Sequence, residues 1–194
     1  WRFGLRSLPL GVVWVARVLC ILCCATTLLY SGVLLASFEA LPFWNTLWLP
    51  CVFAVSSLSS SVGVLMAALV VCGEAGRFFT TLRRLKRLDA LLIGLEVLLL
   101  AAFLLDGWRH GGTAGLSVES LLGGDVSLQF WLFVVVLGLA APLALELFEK
   151  SRSQRLLLLL SCLILLGGFF LRWCIVGAGH PVDFVASYAA SLML

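Results

Sequence analysis

Five apolar runs, each about as long as a bilayer is thick, constrain this chain more than any other feature. They lie near residues 10–37, 47–71, 89–107, 129–148 and 155–178. A helix needs roughly 20 residues to cross the hydrocarbon core. Every face of these runs is apolar, so length and charge, rather than periodicity, set the spans. The expectation is an all-α, polytopic transmembrane helix bundle of about five spans, forming one domain over residues 1–194. Composition agrees: 62% of the residues are hydrophobic and 12% charged, against roughly 45–50% and about 25% in a soluble domain. Nucleic acid is not an expected partner.

The positive charges orient the bundle. Arg2 and Arg6 precede the first run. Arg77, Arg83, Arg84, Lys86 and Arg87 follow the second, and Lys150, Arg152 and Arg155 follow the fourth. In a five-span chain these ten all fall on one side, and Arg109 is alone on the other. Cytoplasmic segments are enriched in Lys and Arg, so the N-terminal end is expected inside and a basic loop over about 72–88 with it. That loop is also suited to anionic lipid.

Seven cysteines invite a metal or disulfide reading. The Cys20-x-x-Cys23-Cys24 spacing is formally compatible with a metal, but these thiols lie in an apolar run with nothing polar around them. Free cysteine commonly behaves as a small buried hydrophobe, and that reading is preferred; no metal is expected. The two histidines, His110 and His180, fall in or beside outer loops. A di-haem cytochrome b would need paired imidazoles within spans, so no haem is expected either.

Ionisable groups inside a span are costly and need an account. Arg17 lies about two turns into the first span, Asp89 and Glu96 share a face of the third, and Glu146 approaches the inner end of the fourth. These groups fit either a structural ion pair, with Arg17 neutralised by Glu96 or Glu146, or a proton path from the inner face through Asp89, Glu96 and Glu146. Arg172, in the fifth span, is placed to snorkel outward or to bind an anionic or carbonyl group. The serines at 56, 57, 59, 60 and 61 with Gly63 read first as helix-packing residues.

The stretch Tyr30-Ser31-Gly32-Val33-Leu34-Leu35 leads through Pro42-Phe43-Trp44-Asn45 to Ser56-Ser57-Leu58-Ser59-Ser60. An apolar ligand bearing carbonyls needs an apolar slot with one or two donors. Tyr30 offers a phenol, and Trp44 and Asn45 a ring and an amide, although an intramembrane tyrosine also serves as a plain helix–helix hydrogen bond. Leu88-Asp89…Leu95-Glu96, Gly123-Gly124…Phe130-Trp131 and Gly167-Gly168…Leu171-Arg172-Trp173…Ala178-Gly179 follow in order.

Together these motifs resemble the NrfD/polysulfide-reductase membrane subunit family, and they cover most of the chain. Ser61 stands where the family pattern implies glycine. The resemblance implies the C-terminal part of a longer, haem-free subunit in a prokaryotic-type cytoplasmic membrane. Such a subunit exchanges electrons between menaquinone or ubiquinone and an iron–sulfur (4Fe-4S) partner, which serves a molybdopterin or other redox subunit. It is not catalytic alone. The resemblance also implies that the quinone sits near the outer face, held partly by Tyr30 and partly by residues of earlier helices, with Trp44 and Asn45 as further candidates. A membrane anchor without quinone chemistry and a secondary transporter remain the alternatives.

The orientation is directly testable. Single cysteines placed at 83–87 in a cysteine-free background should react with an impermeant thiol reagent only from the cytoplasmic side. Labelling from outside would invert the topology.

Overall fold

The computed structural model describes residues 10–39, 41–73, 78–124, 126–148 and 154–179, with backbone only at 10, 79, 146–148 and 154. Six helical elements follow in order. They are α1 (Leu10–Ala36), α2 (Trp48–Val71), α3 (Phe79–His110), α4 (Gly112–Gly123), a composite α5 over 127–148, and α6 (Gln154–Ala178). All but α4 are long and apolar enough to cross a membrane, and the described residues contain no strand. The end carrying the 37–47 corner and α4 is called outer below.

Helix α2 is the hub, packing against α1, α3 and α6. Its serines and Gly63 make this possible, because small side chains let helix backbones approach closely. A Cβ added at Gly63 would lie only 3.4 Å from Ile164 on α6. On the α1 side, one added at Gly32 would lie 2.6 Å from the Pro50 Cα, which fixes where those helices meet. The rest of α1 is almost wholly exposed, as suits a helix solvated by lipid on most of its surface.

Helix α5 is not a regular α-helix. It opens with a turn at Ser127–Gln129, continues as a π-helix over Phe130–Ala140, and ends as an α-helix over Ala141–Phe148. Pro142 explains where the register changes. The N–H of Ala141 still bonds five residues back, to Val136, and the next residue has no N–H to give. In the first turn of an α-helix that missing donor costs little. The π-segment also brings Gly138 against Gly167 of α6, so that a Cβ on Gly138 would sit 2.6 Å from the Gly167 Cα.

Two segments depart from expectation. The third helix begins at Phe79, so Arg83, Arg84, Lys86 and Arg87 are helical rather than part of a loop to residue 88. No glycine or proline interrupts 79–93, and Leu, Arg and Lys are good helix formers. At 32 residues the helix is about 48 Å long, longer than the hydrocarbon core, so its basic first turns lie at or beyond the interface. The glycine-rich segment after α3, which the five apolar runs leave as a connection between spans, is likewise not simply a loop. Gly111 and Gly112, with φ of 61° and 56°, make a sharp corner that glycine adopts without strain. Helix α4 follows, burying Ala114, Val118 and Leu121.

The interior has two apolar clusters. The outer one gathers Phe43, Leu49, Phe53, Phe103, Val118 and Phe130 among others; the inner one includes Val62, Met66, Leu82, Leu160 and Ile164. Between them Ser56, Ser59, Asp89 and Glu96 are buried.

The Gly138–Gly167 crossing has no room for a side chain, and overpacking a core costs about 1–3 kcal/mol. Gly167→Val should therefore lower the thermal stability of the purified protein and weaken α5–α6 packing. Gly94→Ala, where nothing lies within 4 Å of the added methyl, should leave stability unchanged or raise it slightly. A Gly167→Val variant as stable as Gly94→Ala would show that the helices separate freely there.

Candidate functional site

The polar layer is built by three helices. From α2, Ser59 Oγ donates a 2.7 Å hydrogen bond to Asp89 Oδ1 of α3, and Ser56 is within hydrogen-bonding reach of Glu96. From α6, Arg172 lies near enough to Glu96 for direct electrostatic attraction. One guanidinium nitrogen of Arg172 donates to the Gly168 carbonyl at 2.7 Å. The other donates to Ser57 Oγ at 2.5 Å and to the Phe53 carbonyl at 3.4 Å. The guanidinium carbon also lies 5.5 Å from the Phe53 ring centroid, a favourable placement for a cation over an aromatic face.

Each bond has a local cause. Ser56 and Ser59 are three residues apart, so they share one face of α2. Asp89 and Glu96, seven residues apart, share a face of α3. Gly168 leaves room for the polar groups: a Cβ there would come within 2.7 Å of Ser60 Oγ. A small cavity opens between α2, α3, α5 and α6. Ser56, Ser59, Glu96, Gly138, Gly167 and Gly168 are among the residues that line it. It has room for about a single water molecule, far too little for a quinone ring. Asp89 is wholly buried and Glu96 is 5% exposed, so both carboxyls depend on these protein partners.

The expected pairing of Arg17 is corrected in part. Arg17 lies on the exposed face of α1, whereas the cation facing Glu96 is Arg172. Snorkelling toward the interface accounts for Arg17. The side chain of Glu146 lies outside the described residues, as does His180. His110 is at the outer end of α3, with its Nδ1 3.5 Å from Asp106 Oδ1. The α2 serines do more than pack: their i, i+3 spacing opposite two carboxylates is the signal of a polar face.

The residues of the expected quinone site separate. Tyr30 is 65% exposed on α1, six residues and so about 9 Å below its outer end. Asn45 is also exposed. Trp44 is buried: its indole N–H donates to the Ile175 carbonyl at 3.2 Å, and its ring packs edge-on against Phe38. Trp44 therefore fastens the 37–47 corner to α6, while the phenol and the amide face outward. Cys20, Cys23 and Cys24 are exposed on α1, away from the polar layer.

Five membrane-length helices around buried charges define an integral membrane helical bundle. Within that class, the chain belongs to the NrfD family of polysulphide reductase membrane subunits, whose model matches residues 5–183. It is 31% identical over 153 residues to Protein NrfD of Escherichia coli, covering 78% of this chain and 48% of that protein. It is 30% identical over 156 residues to the C subunit of the polysulfide reductase of Wolinella succinogenes, covering 78% and 49% respectively. Protein NrfD homolog of Haemophilus influenzae is 25% identical over 154 residues, again covering 78% of this chain and 48% of its own length. The chain thus spans about half the length of these curated relatives. No solved structure matches it.

Leaving one charge unbalanced in a layer of low polarity is unfavourable, whereas neutralising both partners is milder. Arg172→Gln should thus destabilise the bundle, and adding Glu96→Gln should recover part of the loss. Unfolding of the single and double variants in mild detergent checks this. Additive losses would show that the two groups do not interact.

Proposed function

We propose that this chain is the quinone-interacting part of a membrane subunit in a respiratory oxidoreductase complex of the cytoplasmic membrane. In that role it exchanges electrons between menaquinone or ubiquinone and an iron–sulfur partner, which serves a molybdopterin or other redox subunit. Family membership supports the membrane-subunit role. The observation that carries the quinone reading is Tyr30, a largely exposed phenol on an apolar helix, with no hydrogen-bond partner among the described residues.

A hydroxyl facing hydrocarbon without a partner is unfavourable. A quinone carbonyl, brought by an apolar tail that dissolves in lipid, is a fitting acceptor. Tyr30 donates to that carbonyl, exposed Asn45 offers a further amide toward the outer interface, and Trp44 holds the corner that carries Asn45. The quinone supplies the redox chemistry; the protein supplies position and protons. Asp89 and Glu96, buried and hydrogen-bonded on α3, are the proton carriers of this reading, with Glu146 toward the inner end.

A second reading has one observation in its favour. Glu96 lies near the middle of α3 and close to the π-helical stretch of α5, and a midplane charge beside an irregular helix is also a feature of secondary transporters. Quinol-linked electron transfer separates the two, since a transporter needs none.

Tyr30→Phe removes the donor and keeps the ring, so folding and assembly should survive. A neutral hydrogen bond contributes roughly 0.5–1.5 kcal/mol net, so affinity for a quinone-site inhibitor should fall about two- to tenfold. Quinol-linked turnover should fall with it. Unchanged turnover and unchanged inhibitor affinity in an assembled Tyr30→Phe complex would remove Tyr30 from the site.

A further inference from the structure

Asp89 and Glu96 are the two buried carboxylates on α3, yet they cannot pass a proton to each other directly. Seven residues of helix separate them by about 10 Å, and a hydrogen bond spans about 3 Å. Ile93 is buried on the same face of α3 between them, so a link across the gap has to come from a neighbouring helix. Ser59 reaches into it from α2 and holds Asp89 Oδ1 at 2.7 Å. Ser59 also lines the one-water cavity, as does Glu96, whereas Asp89 does not.

The cavity is kept open by glycines at 138, 167 and 168, where side chains would fill or close it. A space of this size stays dry when its walls are apolar and takes water when two or more polar groups face it. Here a carboxyl and two serine hydroxyls face it.

We propose that this cavity is a hydration site, and that its single water, with Ser59, forms the proton relay between Asp89 and Glu96. The inference rests on the reading of these two carboxylates as proton carriers. In the outward step, protonated Asp89 gives its proton to Ser59 Oγ, Ser59 gives its own to the water, and the water gives one to Glu96. Each intermediate loses one proton as it gains another, so the hydroxyl and the water are regenerated. The net change is that Asp89 becomes a carboxylate and Glu96 a carboxyl. Ser56, within reach of Glu96, orients the accepting carboxyl, and Arg172 holds it from the outer side; neither carries the proton.

The test uses the assembled complex in native membranes and the near-isosteric pair Ser59→Val and Ser59→Thr. Ser59→Thr retains the hydroxyl and should keep proton uptake coupled to quinol turnover within a few-fold of the parent. Ser59→Val should slow that uptake on the order of a hundredfold, the effect expected when a positioned proton carrier is removed. Ser59→Ala, smaller than serine and unable to clash, carries the same expectation should the valine fail to assemble.

A high-resolution density map of the parent complex should show one water within hydrogen-bonding distance of Ser59 and Glu96. This readout does not depend on quinone chemistry. A dry cavity overturns the proposal, and so does an assembled Ser59→Ala complex that takes up protons at the parent rate. A null result for Tyr30→Phe, with water present and Ser59→Ala slow, would remove only Tyr30 from the quinone site and leave the relay standing.

Discussion

Two buried carboxylates and a part-buried guanidinium among membrane helices are the constraint to which the rest of the structure answers. Taking such groups out of water costs several kcal/mol each, even after the protein relaxes around them. That cost is offset only if every charge meets an opposite charge or a dense set of hydrogen bonds. Arg172 meets the carbonyls of Gly168 and Phe53 and the Ser57 hydroxyl, and it faces Glu96. Asp89 is held by Ser59. The bonds made by Ser57 and Ser59 are short because the helices are close, and the helices are close because their facing residues are serine and glycine. In hydrocarbon there is no aqueous drive to press helices together, so packing and polar contacts must do it.

The layering follows from the same argument. The outer cluster around Phe53 and Phe103 and the inner one around Met66 and Leu160 bracket the charges, so the polar layer is sealed on both sides. Low polarity strengthens each interaction inside the seal and raises the cost of leaving any of them unmade. The irregular stretch of α5 sits beside this layer. Its π-helical turns bring Gly138 into contact with Gly167, and the return to α-helical register comes at Pro142, which has no N–H to misplace. π-Segments are frequent at functional sites, and this one lines the cavity on which Glu96 opens.

The spans are legible in the sequence because a membrane helix is announced by length and apolarity alone, and four of the five lie within a few residues of where those criteria put them. The third is longer than its apolar run, since charge does not end a helix. Arg83 to Arg87 are helical because the α-helical backbone satisfies itself wherever the side chains reach water. Helix α4 is hidden behind its glycines, although Ala114, Val118 and Leu121 carry an i, i+4, i+7 stripe. Depth can be read from sequence, but azimuth cannot. Arg17 and Arg172 both lie inside spans, yet only packing shows that one faces out and the other faces Glu96. The same limit groups Trp44 with Tyr30 in the sequence, when the indole turns inward to Ile175 and the phenol does not.

Azimuth also decides how Tyr30 and the buried carboxylates are connected. Tyr30 is on the exposed surface of α1, whereas the carboxylates lie beyond α2, among α3, α5 and α6. Helix α2 touches both. One side of it meets α1 where Gly32 admits Pro50, and another presents Ser56 and Ser59 to the acids. A displacement of α1 against α2 would be resisted at once by the Gly32–Pro50 contact, which has no slack for a side chain. The same rigid helix would carry that displacement to Ser59, about two and a half turns along from Pro50. Tyr30 and the hydrogen bond at Asp89 are therefore joined by one helix and two tight contacts, rather than by a chain of loops.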